Sequence, residues 1–488
     1  MKKLKTYILI PFLSVFFAGC TGSFDGINED PDGADNEVVP VTNNLAFVIR
    51  YSSDNLFDEW FDLNESCGFS GQIAKMQYTS EGYYQFRTSV NSNSWYYVYI
   101  ILSNIDNIIA KAQTTGNSNM ENVGKVLKAQ IFQIATDRWR DIPFTEAGKM
   151  TDGILKPQYD RQEDIYPALL TLLKEAADGF VDDNTGELGA GDVLFFEDVS
   201  LWQRYCNSLR LRLAMRISGV DATLAKSTVE EILGNPGRYP LIQTNDQNAF
   251  FTWPGGEYQE PWAAYYKSRP SEYGVSDIMI NLLKSTSDPR LPVYAAPATA
   301  TGEYRGYGIG NTLSAVVSQY SRIGSRFMAR DGASGFSPYF RSAETYFEIA
   351  EAALLGWNTG GISAETAYTK GVTLSLEENS IAQDDIDKYL AGAGKFTGGK
   401  DQVYLQLWIS LFKQGMEAWS TYRRTGIPSN VYIAPGSVYP NHNVPPMRYA
   451  YPQTELDLNS SNVAPFAAEI VDNFWGKQMW WDTRTNVY

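Results

Sequence analysis

A single histidine, His442, limits the covalent chemistry open to this chain. A Ser–His–Asp or Cys–His pair would have to use it. It sits in Pro440-Asn441-His442-Asn443-Val444-Pro445-Pro446, a loop pattern, and no Gly-x-Ser-x-Gly nucleophile elbow occurs anywhere. One histidine makes no zinc site without cysteines and carboxylates gathered round it, and whether another metal binds stays open. Phosphate-loop and dinucleotide fingerprints are missing, so no cofactor is expected. A glycosidase needs only two carboxylates at a set distance, which 56 acidic residues can neither refute nor support. Surface glycoside hydrolysis is therefore the alternative reading, and binding without chemistry the favoured one.

Binding a sugar calls for ring faces beside polar side chains, and Tyr and Trp supply a rigid face with a polar tip. Two stretches hold that mixture. One is Tyr78, Tyr83, Tyr84, Phe86 and Arg87 with Asn91 and Asn93; the other is Trp253, Tyr258, Gln259, Trp262, Tyr265, Tyr266 and Arg269. The second is the stronger candidate, because Pro254-Gly255-Gly256 breaks any helix and can project Trp253 and Tyr258 outward. Loop aromatics packed on a scaffold are the plainer reading of both. A peptide is the alternative ligand to a glycan.

The elements that must carry these residues are mostly helical. Ser94 can cap a helix with Trp95, Tyr99, Leu102, Ile105, Ile109 and Ala112 on one face, and a turn at 114–119 leads to a second with Val123, Leu127, Ile131 and Ile134. Ile165 to Phe180 and Trp202 to Ile217 make a third and fourth, and a later set covers 342–356, 363–378 and 401–421. Helices in pairs suggest a tetratricopeptide-like solenoid, although the 34-residue consensus is absent. Stretches 239–275, 292–340 and 426–475 interrupt the rhythm as long, aromatic-rich loops.

The N-terminus reads as an export signal. Lys2, Lys3 and Lys5 precede an apolar run, Tyr7–Phe17, too short to span a bilayer. Phe17-Ala18-Gly19-Cys20 resembles a bacterial lipobox, which implies cleavage after Gly19 and acyl chains on Cys20. Residues 1–19 are then signal peptide, 20–40 a polar tether and 41–488 the folded domain. Removing 1–19, with its three lysines and no acid, leaves 37 basic against 56 acidic side chains, a net of −19. That charge does not invite nucleic acid. Cys67 and Cys206 are expected as two free or buried thiols, with one disulfide as the lesser alternative.

Motifs along the whole chain resemble the SusD/RagB family. Phe24-Asp25-Gly26-Ile27-Asn28-Glu29-Asp30-Pro31 is similar to the element that follows the lipidated cysteine in that family. Asp137-Arg138-Trp139-Arg140-Asp141-Ile142-Pro143-Phe144-Thr145-Glu146-Ala147 resembles "D-x-x-G-D-I-P-Y-x-E-A", with Arg140 where glycine is usual. Pro157 to Tyr166, the helix Trp202 to Arg216 with Asn207-Ser208-Leu209-Arg210-Leu211-Arg212, Asp288-Pro289-Arg290-Leu291, Tyr422-Arg423-Arg424-Thr425-Gly426 and Tyr451-Pro452 with Glu455 follow in order. The resemblance implies a mainly α fold of four tetratricopeptide-like helix pairs, with long irregular loops and few short strands. It implies a surface-exposed lipoprotein of the outer membrane that binds glycans or peptides and hands them to a SusC-like TonB-dependent transporter. Arg210, Arg212 and Arg216 are expected to pair with acids such as Asp137, Asp141 or Asp160 between helices.

Overall fold

The computed structural model describes residues 40–181, 188–328 and 335–488. The signal, Cys20 and the Phe24–Pro31 element lie outside the described residues. Helix α1 is Val41–Asn55; α2, Thr88–Thr115, and α3, Ser118–Trp139, are joined by two residues. Gly116 takes the left-handed conformation that ends α2 (φ 72°), and the Asn117 side chain caps α3 by accepting from Met120 N at 2.9 Å. The expected turn is there, but α2 starts at Thr88. Ser94 is not a cap: it lies inside the helix and its hydroxyl donates back to Val90 O.

Helices α4, Gln162–Gly179, and α5, Val199–Arg216, follow, then α6, Ala222–Gly234. The stretch 239–275 is not wholly irregular, because Pro261–Ser268 forms helix α7, with Pro261 in its first turn and Glu260 as cap. Then come α8, Asp277–Ser285, α9, Ser342–Leu354, and α10, Ala364–Glu378. The run expected as one helix at 401–421 is two, α11, Lys400–Ser410, and α12, Gly415–Thr425. Lys413 breaks it with φ 68° while its ammonium reaches inward to Phe327 O at 2.7 Å.

Four pairs result, α2/α3, α4/α5, α9/α10 and α11/α12, and they stack through α3 on α4, α5 on α9 and α9 on α11. The architecture is mainly α with few short strands. Strands β1, Ile73–Lys75, β3, Tyr273–Val275, β4, Ala295–Ala296, and β5, Arg322–Ile323, form one sheet in the order β1-β3-β5-β4; β2, Ala249–Thr252, pairs antiparallel with β6, Phe336–Phe340.

Charges cement the helix stack. Arg212 Nη2 donates to Glu344 Oε2 at 2.7 Å across α5 and α9. Arg216 meets Glu417 of α12 and, at 3.4 Å, Asp137 of α3. Arg210 pairs with Glu231 instead. Of the acids expected as partners, only Asp137 serves. Asp160 accepts from Phe144 N and Thr145 N at 3.0 and 2.8 Å to close its own turn, and Asp141 meets Arg140 and Gln162 N. Arg140 has φ 73°, which explains why glycine suits that position; its guanidinium is held by Gln478 O at 2.7 Å. Cys67 and Cys206 are both buried free thiols.

Candidate functional site

Three of the expected ligand-stacking rings are core residues. Trp253 is 2% exposed, at the end of β2, with Nε1 donating to Ser337 Oγ at 3.0 Å. Trp262 is 0% exposed, in α7 under the Lys413 ammonium (4.7 Å), which also pairs with Glu260 at 2.9 Å. Tyr84 is 2% exposed among Phe69 and Trp475, its hydroxyl accepting from Ala434 N at 2.9 Å. These rings offer no face to a ligand. The glycine turn projects only Tyr258: reciprocal bonds between Gly255 and Tyr258 close it, and Trp253 continues the strand inward.

Asn91 is buried as well, accepting from Trp139 Nε1 at 3.1 Å and donating to Ala450 O at 2.9 Å, while the other expected residues reach the surface. Tyr258 is 51% exposed, with the Arg50 guanidinium 5.0 Å over its ring. Tyr83, Tyr265 and Tyr266 are half-buried. Tyr265 donates to Glu272 Oε2 at 2.7 Å and Tyr266 accepts from Arg322 Nη1 at 3.1 Å. Arg269 lies 5.0 Å over the exposed Tyr78 ring. The two sequence clusters thus adjoin at the surface through Tyr78 and Arg269. Antiparallel pairing of β1 with β3, Lys75 opposite Tyr273, brings residues 78–87 against 265–273.

Beside this surface lies a cleft of about 280 Å³ that the sequence clusters touch only at Arg87 and Asn93. Asn55, Asp58, Trp60, Ser89, Val90, Ser94 and Tyr97 complete its lining. Glu59–Ser66 is a π-helix, a rare geometry that recurs at functional sites; Asp58 caps it by accepting from Trp60 N and Phe61 N. Tyr51 of α1 meets Tyr97 edge to face at 5.9 Å and stacks on Phe47 at 5.0 Å, while Tyr96 is 60% exposed next to Tyr97. A signal existed for these rings. Tyr96 and Tyr97 fall between Trp95 and Tyr99 of the apolar stripe, off the face that packs on the scaffold.

One carboxylate, Asp58, and one guanidinium, Arg87, line the cleft, and Asp54 and Glu59 lie next to it in sequence. Burial, then the neighbouring Glu59, holds the Asp58 carboxyl well above its ordinary range. Burial, with Asp54 and Glu272 adding to it, raises Glu59, and burial against the opposing charge of Arg50 raises Asp54. The Tyr97 phenol is pushed up by burial and by all three. Next to them, burial works to raise Glu81, yet Lys75 and Arg87 outweigh it and hold that carboxyl below its usual range. Among the described residues no group of three or more His, Cys, Asp or Glu is placed to hold a metal ion, and no helix is long and apolar enough to cross a membrane. What the surface offers is ring faces, amides and carboxylates, an arrangement for holding a polyhydroxyl ligand.

Known proteins share this architecture. A chitin-binding protein superposes with a TM-score of 0.78 at 27% identity, covering 91% of this chain and 100% of its own. A SusD homologue from Bacteroides uniformis gives 0.77 at 24%, covering 91% and 99%, and a chitin-binding SusD homologue from Flavobacterium johnsoniae 0.76 at 23%, covering 91% and 99%. No curated protein sequence matches the chain. The family profile described as "SusD-like_2: Starch-binding associating with outer membrane" matches residues 39–452, and with most of its length so matched the chain belongs to the SusD-like family.

Proposed function

We propose that the protein is a cell-surface lipoprotein that captures oligosaccharides in the Trp60–Tyr97 cleft and along the neighbouring Tyr78–Arg269 surface, and delivers them unaltered to a SusC-like TonB-dependent transporter. The observation that carries this is the aromatic cleft itself: Trp60 and Tyr97 for sugar faces, Asn55 and Asn93 for hydroxyls. Tyr258, Tyr265, Tyr266, Arg269 and Tyr83 extend the contact. Tyr84, Trp253 and Trp262 serve as packing beneath it.

Two features support the delivery step. The lipobox at Cys20 would tether the domain to the outer membrane, and mass spectrometry of the membrane fraction should find an acylated N-terminal cysteine. Residues 306–321 and 425–447 contain no Asp, Glu, Lys or Arg. They pack on each other through Gly436 N to Gly310 O (3.3 Å) and Ile309 N to the Tyr432 hydroxyl (2.9 Å), leaving Leu313, Val316 and Val438 exposed. A charge-free apolar patch suits a stable protein partner, and Val438 N donates to Tyr83 O beside the ligand surface. Affinity purification from membranes should recover a large β-barrel in comparable amount.

The test of binding is Trp60→Ala, measured by calorimetry with maltohexaose and chitohexaose. Affinity should fall about tenfold to a hundredfold, as for a hot-spot ring worth roughly 1–3 kcal/mol, with little change in melting temperature. Unchanged affinity for every oligosaccharide that the wild type binds would remove the cleft from the reading.

A further inference from the structure

A cavity of about 30 Å³ lies where the π-helix Glu59–Ser66 meets α3, α5 and α12. Four of its lining residues each carry a buried oxygen that has no hydrogen-bond partner among the described residues: Asp62 Oδ2, Gln130 Oε1, Gln133 Oε1 and Gln414 Oε1. These residues are only 1%, 2%, 4% and 5% exposed. Two of the amides cannot be turned round to remove the mismatch. Gln133 Nε2 donates to Asp137 Oδ2 at 2.9 Å, and Gln414 Nε2 donates to Tyr339 O at 3.1 Å. We propose that this cavity binds one monovalent cation, sodium or potassium, held by the Asp62 carboxylate and the three glutamine oxygens.

The other charges lining the cavity are already met. Arg212 bonds Glu344 and Tyr339 O, and Glu417 pairs with Arg216. The Lys413 ammonium, also close to Asp62, pairs with Glu260 at 2.9 Å and donates to Phe327 O at 2.7 Å. Asp62 is in no ion pair among the described residues; its Oδ1 accepts from Gly415 N at 2.8 Å and meets the Cys67 thiol at 3.8 Å. One uncompensated carboxylate matches one positive charge. A divalent ion would overshoot it, and calcium takes about six to eight oxygens. Water answers the mismatch only in part. The cavity has room for about two water-sized bodies. Two waters bonded to each other keep three hydrogens for four acceptors, and the carboxylate stays uncompensated. A cation serves every oxygen at once and offsets the cost of holding the carboxylate out of water. The ion ties the π-helix, which carries Trp60, to α3 and to the start of α12.

The experiment is thermal melting of the acylation-free chain 20–488 with Cys20→Ser in choline chloride. Sodium or potassium chloride replaces choline at constant ionic strength, and calcium chloride is the divalent control. At least one alkali ion should raise the melting temperature saturably, by about 1–2 °C at roughly ten times its dissociation constant. The stronger arm tells sodium from potassium. Asp62→Asn keeps an oxygen for Gly415 N and brings an amide nitrogen to the glutamine oxygens. It should fold in choline and lose the ion-specific rise. Gln130→Met, which removes one oxygen, should raise the half-saturating salt concentration about tenfold, a difference of about 1.4 kcal/mol. Equal melting temperatures in choline, sodium and potassium would mean that the cavity holds water only, and would overturn the proposal. So would a larger effect of calcium, or an ion-specific rise untouched by both variants. No oligosaccharide enters the test, so its failure leaves the glycan reading where it stands.

Discussion

Carboxylates play opposite parts in the helix stack and in the cleft. Between α5 and α9, Glu344 and Arg212 are both nearly inaccessible and bonded through two guanidinium nitrogens. Beside the cleft, Asp54 and Glu59 are close enough to Tyr97 to raise its phenol, and among the described residues neither is in an ion pair. Residue type does not distinguish the two regions; pairing does. A buried pair satisfied on every side gives a fixed scaffold, whereas a carboxylate held near a ring without its own cation leaves interaction capacity for something outside the chain. The aromatic rings divide less sharply. Trp262 is buried under Lys413 at 4.7 Å, whereas Trp60 lines the cleft with Lys75 and Arg87 more loosely over its ring, at 5.7 and 5.9 Å.

The comparison can be broken first where the effect should be largest. Glu344→Ala leaves the buried Arg212 only the longer contacts to Glu417 (3.7 Å) and Tyr339 O (3.2 Å) and should cost about 3 kcal/mol in stability, read by denaturant unfolding, with oligosaccharide affinity of the folded fraction unchanged. Replacing both partners by apolar residues, Arg212→Met with Glu344→Leu, should restore much of that loss. Next in size, Trp253→Phe removes the bond to Ser337 and part of a core ring and should cost about 1–3 kcal/mol, again without a change in affinity. Lowered affinity at an unchanged melting temperature would return Trp253 to the ligand surface. The smallest effect belongs to Tyr258→Ala, which loses an exposed ring stacked with Arg50. Stability should stay within about 0.5 kcal/mol, and calorimetry should show only a twofold to fivefold weakening, roughly 0.5–1 kcal/mol.

Helix positions were readable because each pair buries an apolar stripe at helical spacing, as from Trp95 to Ala112. Boundaries were not, where a tertiary contact decides them. Lys413 leaves the helical conformation because its ammonium finds Glu260 and Phe327 O far away in sequence. The sequence clusters confused facing with packing. Trp253 and Tyr258 share a glycine-flanked loop, and only the β2–β6 pairing decides that one ring turns inward. Tyr97 could have been picked out by its place off the apolar stripe of α2, but Trp60 could not, because it lines the same cleft only through the approach of the π-helix to α2, a relation no local spacing encodes.

The four-stranded sheet draws its strands from residues 73–75, 273–275, 295–296 and 322–323. Helix pairs such as α2/α3 close over two residues and can form as soon as both are synthesised. The Tyr78–Arg269 surface has to wait until β1 finds a strand two hundred residues later. The Trp60–Tyr97 cleft, lined only by residues 55–97, does not wait for that pairing, so the two parts of the proposed binding surface form at different stages. A chain cut before β3 would keep its first helix pairs and lack the Tyr78–Arg269 surface. Bound oligosaccharide would stabilise the long-range closure in preference to the helices, by RT ln(1 + [L]/Kd), so hydrogen exchange should slow in β1 and β3 before it slows in α3.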